Sequence, residues 1–413
     1  MGNEYLREPR IKQETKPSFR NEFHRYDHYL GYAIDSYNLK SEKLAEASVI
    51  KEQTKHHHTY GFQARTYETK DEMIVAVRGT EMSKWRDLLT DGKLALGGHP
   101  KGQIEQLIKF FEEKNANGKS LIEQLIEAKK QGKHIVITGH SLGGYLAQVA
   151  TQIYPDVFNE YYGYQAPSAN FKEFSEIVEK NGKYYERIPS QFEIGNKKYT
   201  DSLLPDDLGR GLFQLQESIA NKTSKTNFFD IRADTDWAVI ANLHNRERFG
   251  DLIKVAGENH SSLALSKILR LYDTARHLGM KDVEKNVTGT LEKIYRTTGM
   301  PVSEIADNLI KEIGRQKGLD INDGAEKIYN ELAKEPRSMA MRDLTFQNVD
   351  KSIERLPLTM RDVSKRQDQY RINFSKIVGF GENNQNNRNF QNYQMTQSDY
   401  QNMVNGFESM SIK

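Results

Sequence analysis

The chain has 413 residues, a length that favours two or three structural units over one ordinary domain. Its 59 Lys and Arg residues are nearly balanced by 57 Asp and Glu residues, so charge gives no reason to expect binding to nucleic acid. The chain contains no cysteine, which excludes disulfide bonds, zinc thiolate sites and a cysteine nucleophile.

Residues 1–20 form a charged segment without the apolar core of a Sec signal peptide, and we expect them to be a flexible lead. No run in the chain approaches the roughly 18 apolar residues that a membrane-spanning helix needs. We therefore expect a protein that is cytoplasmic as synthesised, and that would be secreted, if at all, by a route other than Sec.

Helical and strand patterns alternate from residue 21 to residue 279. Apolar residues at helical spacing predict helices over 21–37, around Ile104–Phe111 and around Leu121–Ile126. The predicted strands are Tyr60–Tyr67, Met73–Val77, Ile135–Ile137, Tyr161–Gln165, Tyr184–Arg187, Phe192–Tyr199 and Phe228–Arg232. The first two form a hairpin, and the alternation as a whole is typical of βαβ units with a mainly parallel sheet.

Further helices are predicted around Phe171–Val178 and in an apolar insertion at 203–220. Strand patterns end near residue 280, and residues 280–360 are expected to form an all-helical module. Its three helical stripes are Val283, Val287, Leu291 and Ile294; Val302, Ile305, Leu309 and Ile313; and Ile328 with Leu332. Residues 361–413 are rich in Asn and Gln, and we expect a disordered polar tail.

The motif Gly-His-Ser-Leu-Gly at 139–143 lies between the apolar strand at Ile135–Ile137 and an amphipathic helix. This G-x-S-x-G pattern, in its strand–turn–helix context, is typical of a nucleophile elbow. A serine on so tight a turn sits in a strained backbone, and a side chain at either flanking glycine would collide with the strand or the helix. The sequence therefore predicts a hydrolase whose nucleophile is Ser141.

A serine hydroxyl needs a positioned base, and the base needs an orienting acid. In this fold the chain order is Ser, then the acid, then His, which leaves His244, His260 and His277 as candidate bases. His260 is favoured because it lies in a loop before a helix, whereas His277 comes late in a helix. His244 follows the candidate acids by only a few residues.

The acid is expected in the turn after the strand Phe228–Arg232, where Asp234 and Asp236 both qualify. The oxyanion of acyl transfer needs two preorganised donors. The backbone N–H of Leu142 is one, and Thr80, at the end of the Met73–Val77 strand, offers the other through its N–H or its hydroxyl.

A lid or acyl-binding wall is a further expectation just past the oxyanion loop. Its candidate residues are Met82, Trp85, Leu88 and Leu89. The insertion at 203–220 is a second candidate lid. Ordinary core packing is the competing explanation for both sets, and for the insertion it is at least as good an explanation.

Four motifs occur in order along the chain: VAVRGT (Val75–Thr80), TDGKLALGGHPKGQ (Thr90–Gln103), ITGHSLGG (Ile137–Gly144) and YQAP (Tyr164–Pro167). Together they resemble the class 3 lipases, specifically the bacterial phospholipase A-like branch, over roughly residues 20–275. The resemblance implies an α/β-hydrolase domain over 21–279 that cleaves a fatty-acyl ester of phospholipid at a lipid or membrane surface. It also implies these roles: Ser141 as nucleophile, Asp236 as acid, His260 as base and Thr80 as oxyanion donor.

Asp236 is favoured over Asp234 because the family places a small apolar residue two positions after its acid, here Ala238. The family also has Trp, two residues and then Asp after its R-G-T motif, whereas Trp85-Arg86-Asp87 is one residue short. Asp87 and Asp91 thus both remain candidates for supporting Thr80.

Two alternative functions stay open: a triacylglycerol lipase or general carboxylesterase, and a non-catalytic binding protein on a hydrolase scaffold. An exported antibacterial or host-directed effector is a further hypothesis, in which the module at 280–360 binds a carrier or immunity protein. No cofactor or metal is expected. Asp320–Glu331 is spaced like a calcium loop, but Ala325 stands where that loop needs Gly, and a helix N-cap at Asp323 explains the same residues.

Overall fold

The structure is a computed structural model that describes residues 18–37, 48–53, 62–79, 100–167, 177–188, 193–194, 197–198, 202–205, 209–221, 224–233, 250–257, 260–320 and 322–334. Its strands are β1 (Ser48–Gln53), β2 (Ala64–Glu68), β3 (Glu72–Val77), β4 (His134–His140), β5 (Glu160–Tyr164), β6 (Ile177–Lys180), β7 (Lys183–Ile188), β8 (Glu193–Ile194), β9 (Lys197–Lys198), β10 (Ser202–Pro205), β11 (Asn227–Ala233) and β12 (Asp251–Val255). Its helices are α1 (Glu22–Asp35), α2 (Lys101–Glu112), α3 (Leu121–Lys130), α4 (Leu142–Ile153), α5 (Gly209–Asn221), α6 (Ser262–His277), α7 (Val283–Thr298), α8 (Val302–Gln316) and α9 (Ala325–Leu332).

A seven-stranded sheet in the order β1-β2-β3-β4-β5-β11-β12 forms the centre of the molecule. Neighbouring strands from β3 to β12 in this order pair in parallel. Strand β2 pairs antiparallel with both of its neighbours, β1 and β3. Every residue of β4 is buried, which suits its Ile, Val and Thr side chains in a strand covered on both faces. The predicted mainly parallel sheet is confirmed.

Helices cover both faces of the sheet, so that side chains alternate between two cores. Along β3, Ile74 and Ala76 belong to one apolar cluster, while Val75 and Val77 belong to the other. The first cluster includes α1 and α6, and the second includes α2, α3, α4 and α5. This arrangement, with a tight turn from β4 into α4, is the α/β-hydrolase fold.

The predicted hairpin is β2 paired with β3, and the backbone N–H of Thr69 closes its turn by donating to the carbonyl of Glu72 at 3.0 Å. Other expectations are corrected. Ile177 and Val178 lie in β6, which pairs antiparallel with β7, so the helix predicted to reach Val178 is wrong there. Residues 202–205 also pair with β7, and the helix of the 203–220 insertion starts only at Gly209. A helix interior does not accept Pro205.

The predicted apolar stripes of α7, α8 and α9 are buried, and these helices belong to the same apolar cluster as α1 and α6. Polar contacts join them as well. The carboxylate of Asp273, fully buried on α6, accepts hydrogen bonds from Arg20, from Asn21 at 2.7 Å and from the hydroxyl of Tyr329 at 2.6 Å. The described helices of the 280–360 segment thus share one continuous core with the layer that covers the sheet.

Helix α9 begins after Gly324 as its N-cap, one residue later than the Asp323 cap predicted from sequence. Asp323 instead forms an ion pair with Lys327 at 2.9 Å. Within the ranges given above, no helix is both long and apolar enough to cross a bilayer.

Candidate active site

The residues predicted to carry the chemistry lie at the carboxyl ends of the parallel strands. Gly79 follows β3, Ser141 follows β4 and Gln165 follows β5. His260 comes a few residues after β12. Because the carboxyl ends of parallel strands meet at a common edge, residues far apart in the chain are gathered there.

Ser141 occupies a sharp turn between β4 and α4. Its backbone has φ 59° and ψ −133°, a conformation that costs an L residue free energy. Its N–H donates to the carbonyl of Tyr164 at 2.9 Å, which fastens the turn to β5. A Cβ atom at Gly143 would lie 2.1 Å from the carbonyl oxygen of Val77, so only glycine lets α4 approach β3 this closely.

The end of β3 lies directly beside Ser141. A Cβ atom at Gly79 would be 3.3 Å from the Cβ of Ser141 and 2.7 Å from the carbonyl oxygen of His140. Leu142 is the first residue of α4, where a backbone N–H has no acceptor within its own helix. The N-terminus of α4 and the end of β3 therefore both lie next to Ser141. Thr80 itself lies outside the described residues.

His260 is buried and lies against the elbow, at the start of α6. The next residue, Ser261, caps that helix, since its hydroxyl accepts a hydrogen bond from the N–H of Ala264 at 3.3 Å. The ring centroids of His260 and His140 are 4.8 Å apart. The other candidate base among the described residues, His277, is the last residue of α6. It lies roughly 25 Å along the helix from His260.

His140, which directly precedes Ser141, makes contacts that sequence reasoning missed. Its Nδ1 lies 3.3 Å from the hydroxyl of Tyr37, and its Nε2 lies 3.1 Å from the amide oxygen of Gln165. Burial, and then the nearby His260, lower the pKa of His140 to about 3, so the ring is neutral at physiological pH. The motifs containing His140 and Gln165 were recognised, but nothing in the sequence pairs them with Tyr37.

Tyr37 connects this histidine to the chain after β3. The N–H of Gly79 donates to the Tyr37 hydroxyl oxygen at 3.1 Å, and the guanidinium of Arg78 lies 5.0 Å from the centre of the Tyr37 ring. Burial raises the pKa of Tyr37 to about 12, so its hydroxyl keeps the proton it can donate to His140.

Several predicted site residues lie outside the described ranges. They are Thr80, Met82, Trp85, Asp87, Leu88, Leu89, Asp91, Asp234, Asp236 and His244. Strand β11 ends at Ala233, at the same edge as Ser141 and immediately before the candidate acids. These assignments stay predictions.

Helix α5, part of the candidate lid at 203–220, packs into the core. Leu212 and Leu215 are buried, and a Cβ atom at Gly211 would lie 2.8 Å from the side chain of Ile104 on α2. Core packing is therefore the role that these residues have in the structure.

Among the described residues, no three His, Asp or Glu side chains cluster in a way that would hold a metal ion. The arrangement at the sheet edge can present a serine hydroxyl, a histidine and backbone donors to one substrate. That combination is suited to acyl transfer.

Residues 62–212 match the model of a domain of unknown function, DUF6792. No curated protein matches the chain.

Solved structures similar to parts of the chain include three fungal lipases. A lipase from Rhizopus microsporus var. chinensis is 14% identical with a TM-score of 0.30, over 52% of this chain and 67% of that one. A triacylglycerol lipase from Penicillium expansum is 10% identical with a TM-score of 0.32, over 57% of this chain and 80% of that one. The Rhizomucor miehei lipase propeptide complex is 11% identical with a TM-score of 0.28, over 52% and 61% respectively.

Proposed function

We propose that the protein is a serine hydrolase that cleaves a carboxylic ester through an acyl-enzyme. One observation carries the proposal: Ser141 lies in a strained turn between β4 and α4, with Gly79 beside its Cβ and His260 against the preceding histidine. Strain of this kind persists where the surrounding structure enforces it, and it is concentrated at functional sites.

In the proposed reaction, the Oγ of Ser141 attacks the ester carbonyl carbon and passes its proton to His260. The oxyanion that forms is stabilised by the N–H of Leu142 and by Thr80. The tetrahedral intermediate collapses, the alcohol leaves with the proton from His260, and the acyl group stays on Ser141. Water, deprotonated by His260, then releases the fatty acid. Asp236 holds His260 in the required tautomer, with Asp234 as the alternative.

We propose a phospholipid as the substrate, cleaved at a fatty-acyl ester as by a phospholipase A. The support for this choice is the sequence resemblance to the bacterial phospholipase A-like branch. Triacylglycerol and short-chain esters are the competing substrates of the same chemistry.

Incubation with defined phospholipid vesicles, triacylglycerol emulsion and a short soluble ester tests both statements. Lysophospholipid and free fatty acid are the expected products from the vesicles. Ser141→Ala should lose on the order of 10⁶-fold in rate. Ser224→Ala, in the loop before β11 at the opposite edge of the sheet, is the matched control and should keep full activity.

Hydrolysis by Ser141→Ala at a rate comparable to the unaltered chain would contradict the mechanism. Activity on the soluble ester and triacylglycerol without lysophospholipid would contradict only the phospholipid proposal. Asp236→Asn and Asp234→Asn, compared separately, identify the acid, and a large loss from Asp234→Asn alone would reverse that assignment.

An enzyme that degrades phospholipid endangers the cell that makes it, and we propose that this one is an exported effector. The helices within 280–360 would then engage a carrier or immunity protein. Cell fractionation tests the idea, because a protein found only in the cytosol of the producing cell under all growth conditions is not exported.

A further inference from the structure

His140 occupies the position immediately before the nucleophile and touches three separate parts of the chain. Tyr37 comes just after α1, Gln165 just after β5, and His260 just before α6. These segments are linked through one ring, and we call Tyr37, His140 and Gln165 the His140 bridge.

The hydrogen bonds of the bridge have a defined direction. The amide oxygen of Gln165 can only accept, so the Nε2 of His140 carries the proton and its Nδ1 accepts from Tyr37. The hydroxyl oxygen of Tyr37 in turn accepts from the N–H of Gly79 at 3.1 Å. The His140 bridge is therefore hydrogen-bonded to Gly79, the residue directly before the predicted oxyanion donor Thr80.

Gln165 is held firmly enough to anchor the other end. It is fully buried, its backbone has φ 49°, and its N–H donates to the carbonyl of Ile231 in β11 at 2.8 Å. A non-glycine residue at positive φ is kept there only by its surroundings. Gln165 is thus fixed to the central sheet by its backbone hydrogen bond to β11.

A neutral imidazole is well suited to the place beside the base. His260 gains a positive charge when it takes the serine proton, and a second positive charge 4.8 Å away would oppose that step. Burial keeps His140 uncharged. In the neutral ring one nitrogen donates a hydrogen bond and the other accepts one, a combination that no other side chain offers with the same shape.

We propose that His140 is a positioning residue, which holds Gly79 at the end of β3 through Tyr37 and holds His260 through direct contact of the two rings. The inference rests on the proposed function, since it concerns the geometry of the same acyl transfer. Neither His140 nor Tyr37 needs to touch the substrate. Their loss displaces the groups that do.

The test measures kcat and KM for a short soluble ester with the full-length chain. Tyr37→Phe removes one hydroxyl, and His140→Phe removes both bonding nitrogens. Misplacement of reacting groups by about 1 Å costs up to roughly 10²-fold in rate, so both variants should lose 10- to 100-fold in kcat with KM within about twofold. His140→Asn, whose amide oxygen can replace Nδ1, should recover part of the loss.

Tyr29→Phe is the matched control. It removes another buried hydroxyl, which donates to Glu72 at 2.5 Å at the opposite edge of the sheet. Its kcat should equal that of the unaltered chain, even if its thermal stability falls. A purely structural role of His140 would make all these variants alike, with stability reduced and kcat of the folded fraction unchanged.

The outcomes separate this inference from the proposed function. An active enzyme in which Tyr37→Phe and His140→Phe both keep kcat within about twofold overturns the positioning role alone. A folded full-length chain with no ester hydrolysis and an unreactive Ser141 overturns the proposed function, and this inference with it.

Discussion

Ser141 shows at the scale of one residue how a site is maintained against the preference of its own backbone. Its φ of 59° and ψ of −133° lie in a region that glycine enters freely and other residues enter at a cost of roughly 1–3 kcal/mol. The turn is enforced by the strand before it, the helix after it and the hydrogen bond to Tyr164. The surroundings thus hold the serine in a strained conformation, at a cost in stability.

We expect Ser141→Gly to be more stable than Ser141→Ala, although both are inactive. Glycine relieves the strain, and its extra entropy in the unfolded chain offsets only part of the gain, leaving about 1 kcal/mol in free energy of unfolding. Urea unfolding of the two variants measures the difference. Equal stability, or a less stable Ser141→Gly, would show that the turn is not strained.

His140 makes stability depend on pH, because its pKa is about 3 in the folded chain and near 6.5 when exposed. Between these values the unfolded chain binds a proton that the folded chain does not, so stability falls as the pH falls below about 6.5. In His140→Asn this contribution is absent. The stability advantage of the unaltered chain over His140→Asn should shrink by roughly 2 kcal/mol from pH 7 to pH 5.

Urea unfolding of both proteins at the two pH values checks the prediction. His28, whose pKa burial lowers to about 4, is present in both proteins, so its contribution cancels. A difference between the two proteins that does not change with pH would contradict a buried, neutral His140.

At the scale of elements, the elbow depends on how closely α4 approaches β3. A Cβ atom at Gly143 would meet the carbonyl oxygen of Val77 at 2.1 Å and other backbone atoms of 78–79 at 2.7 Å. Backbone atoms cannot relieve such a clash by a rotamer change, as a side chain can. The absence of a side chain at Gly143 therefore lets α4, which begins with the proposed oxyanion donor Leu142, pack this closely against β3.

Gly143→Ala should destabilise the protein by several kcal/mol or prevent folding, with activity lost. Gly289→Ala is the matched control on α7, where a Cβ atom would meet nothing within 4 Å. There the change should stabilise the fold by about 0.5–1 kcal/mol, because alanine favours helix. Thermal unfolding of both variants measures the contrast, and similar behaviour of the two would refute the packing argument.

The elements that sequence predicts well are those whose local pattern agrees with their environment. β4 is a run of apolar residues followed by the G-x-S-x-G turn, and the stripes of α7 and α8 have clear helical spacing. Strands β1 and β12 escaped prediction because edge strands carry polar residues and need few apolar ones.

The site was predictable where its chemistry is local and was missed where it is not. The elbow contains its own signal within five consecutive residues at 139–143. The His140 bridge joins positions separated by 103 residues on one side and 25 on the other. Only the fold brings Tyr37 to His140, and no spacing rule in one sequence encodes that contact.

At the scale of the whole molecule, the continuous core makes the layers around the central sheet and the helices α7–α9 depend on each other for stability. Leu291 on α7 is fully buried in the cluster that also contains Tyr272 of α6 and Tyr29 of α1. Asp273, Arg20 and Tyr329 tie the same segments together through buried polar contacts. The stability of the site should therefore reflect packing far from it.

Leu291→Asn should lower the temperature at which esterase activity is lost, in step with the loss of helical structure. Burying a polar group in place of leucine costs at least 2–5 kcal/mol. Ile126→Asn, at a position 38% exposed on α3, should leave both temperatures nearly unchanged. If Leu291→Asn unfolds α7–α9 early while activity survives to its normal temperature, the two parts fold independently.

The central claim is that Ser141 is an activated nucleophile, and covalent labelling tests it most directly. An alkyl fluorophosphonate reacts with such a serine: the Oγ bonds to phosphorus and fluoride leaves. Intact-mass measurement of the full-length chain should show one added phosphonyl group, mapped by peptide analysis to Ser141 and absent from Ser141→Ala. An unlabelled wild-type chain, or equal labelling of Ser141→Ala, would contradict the account.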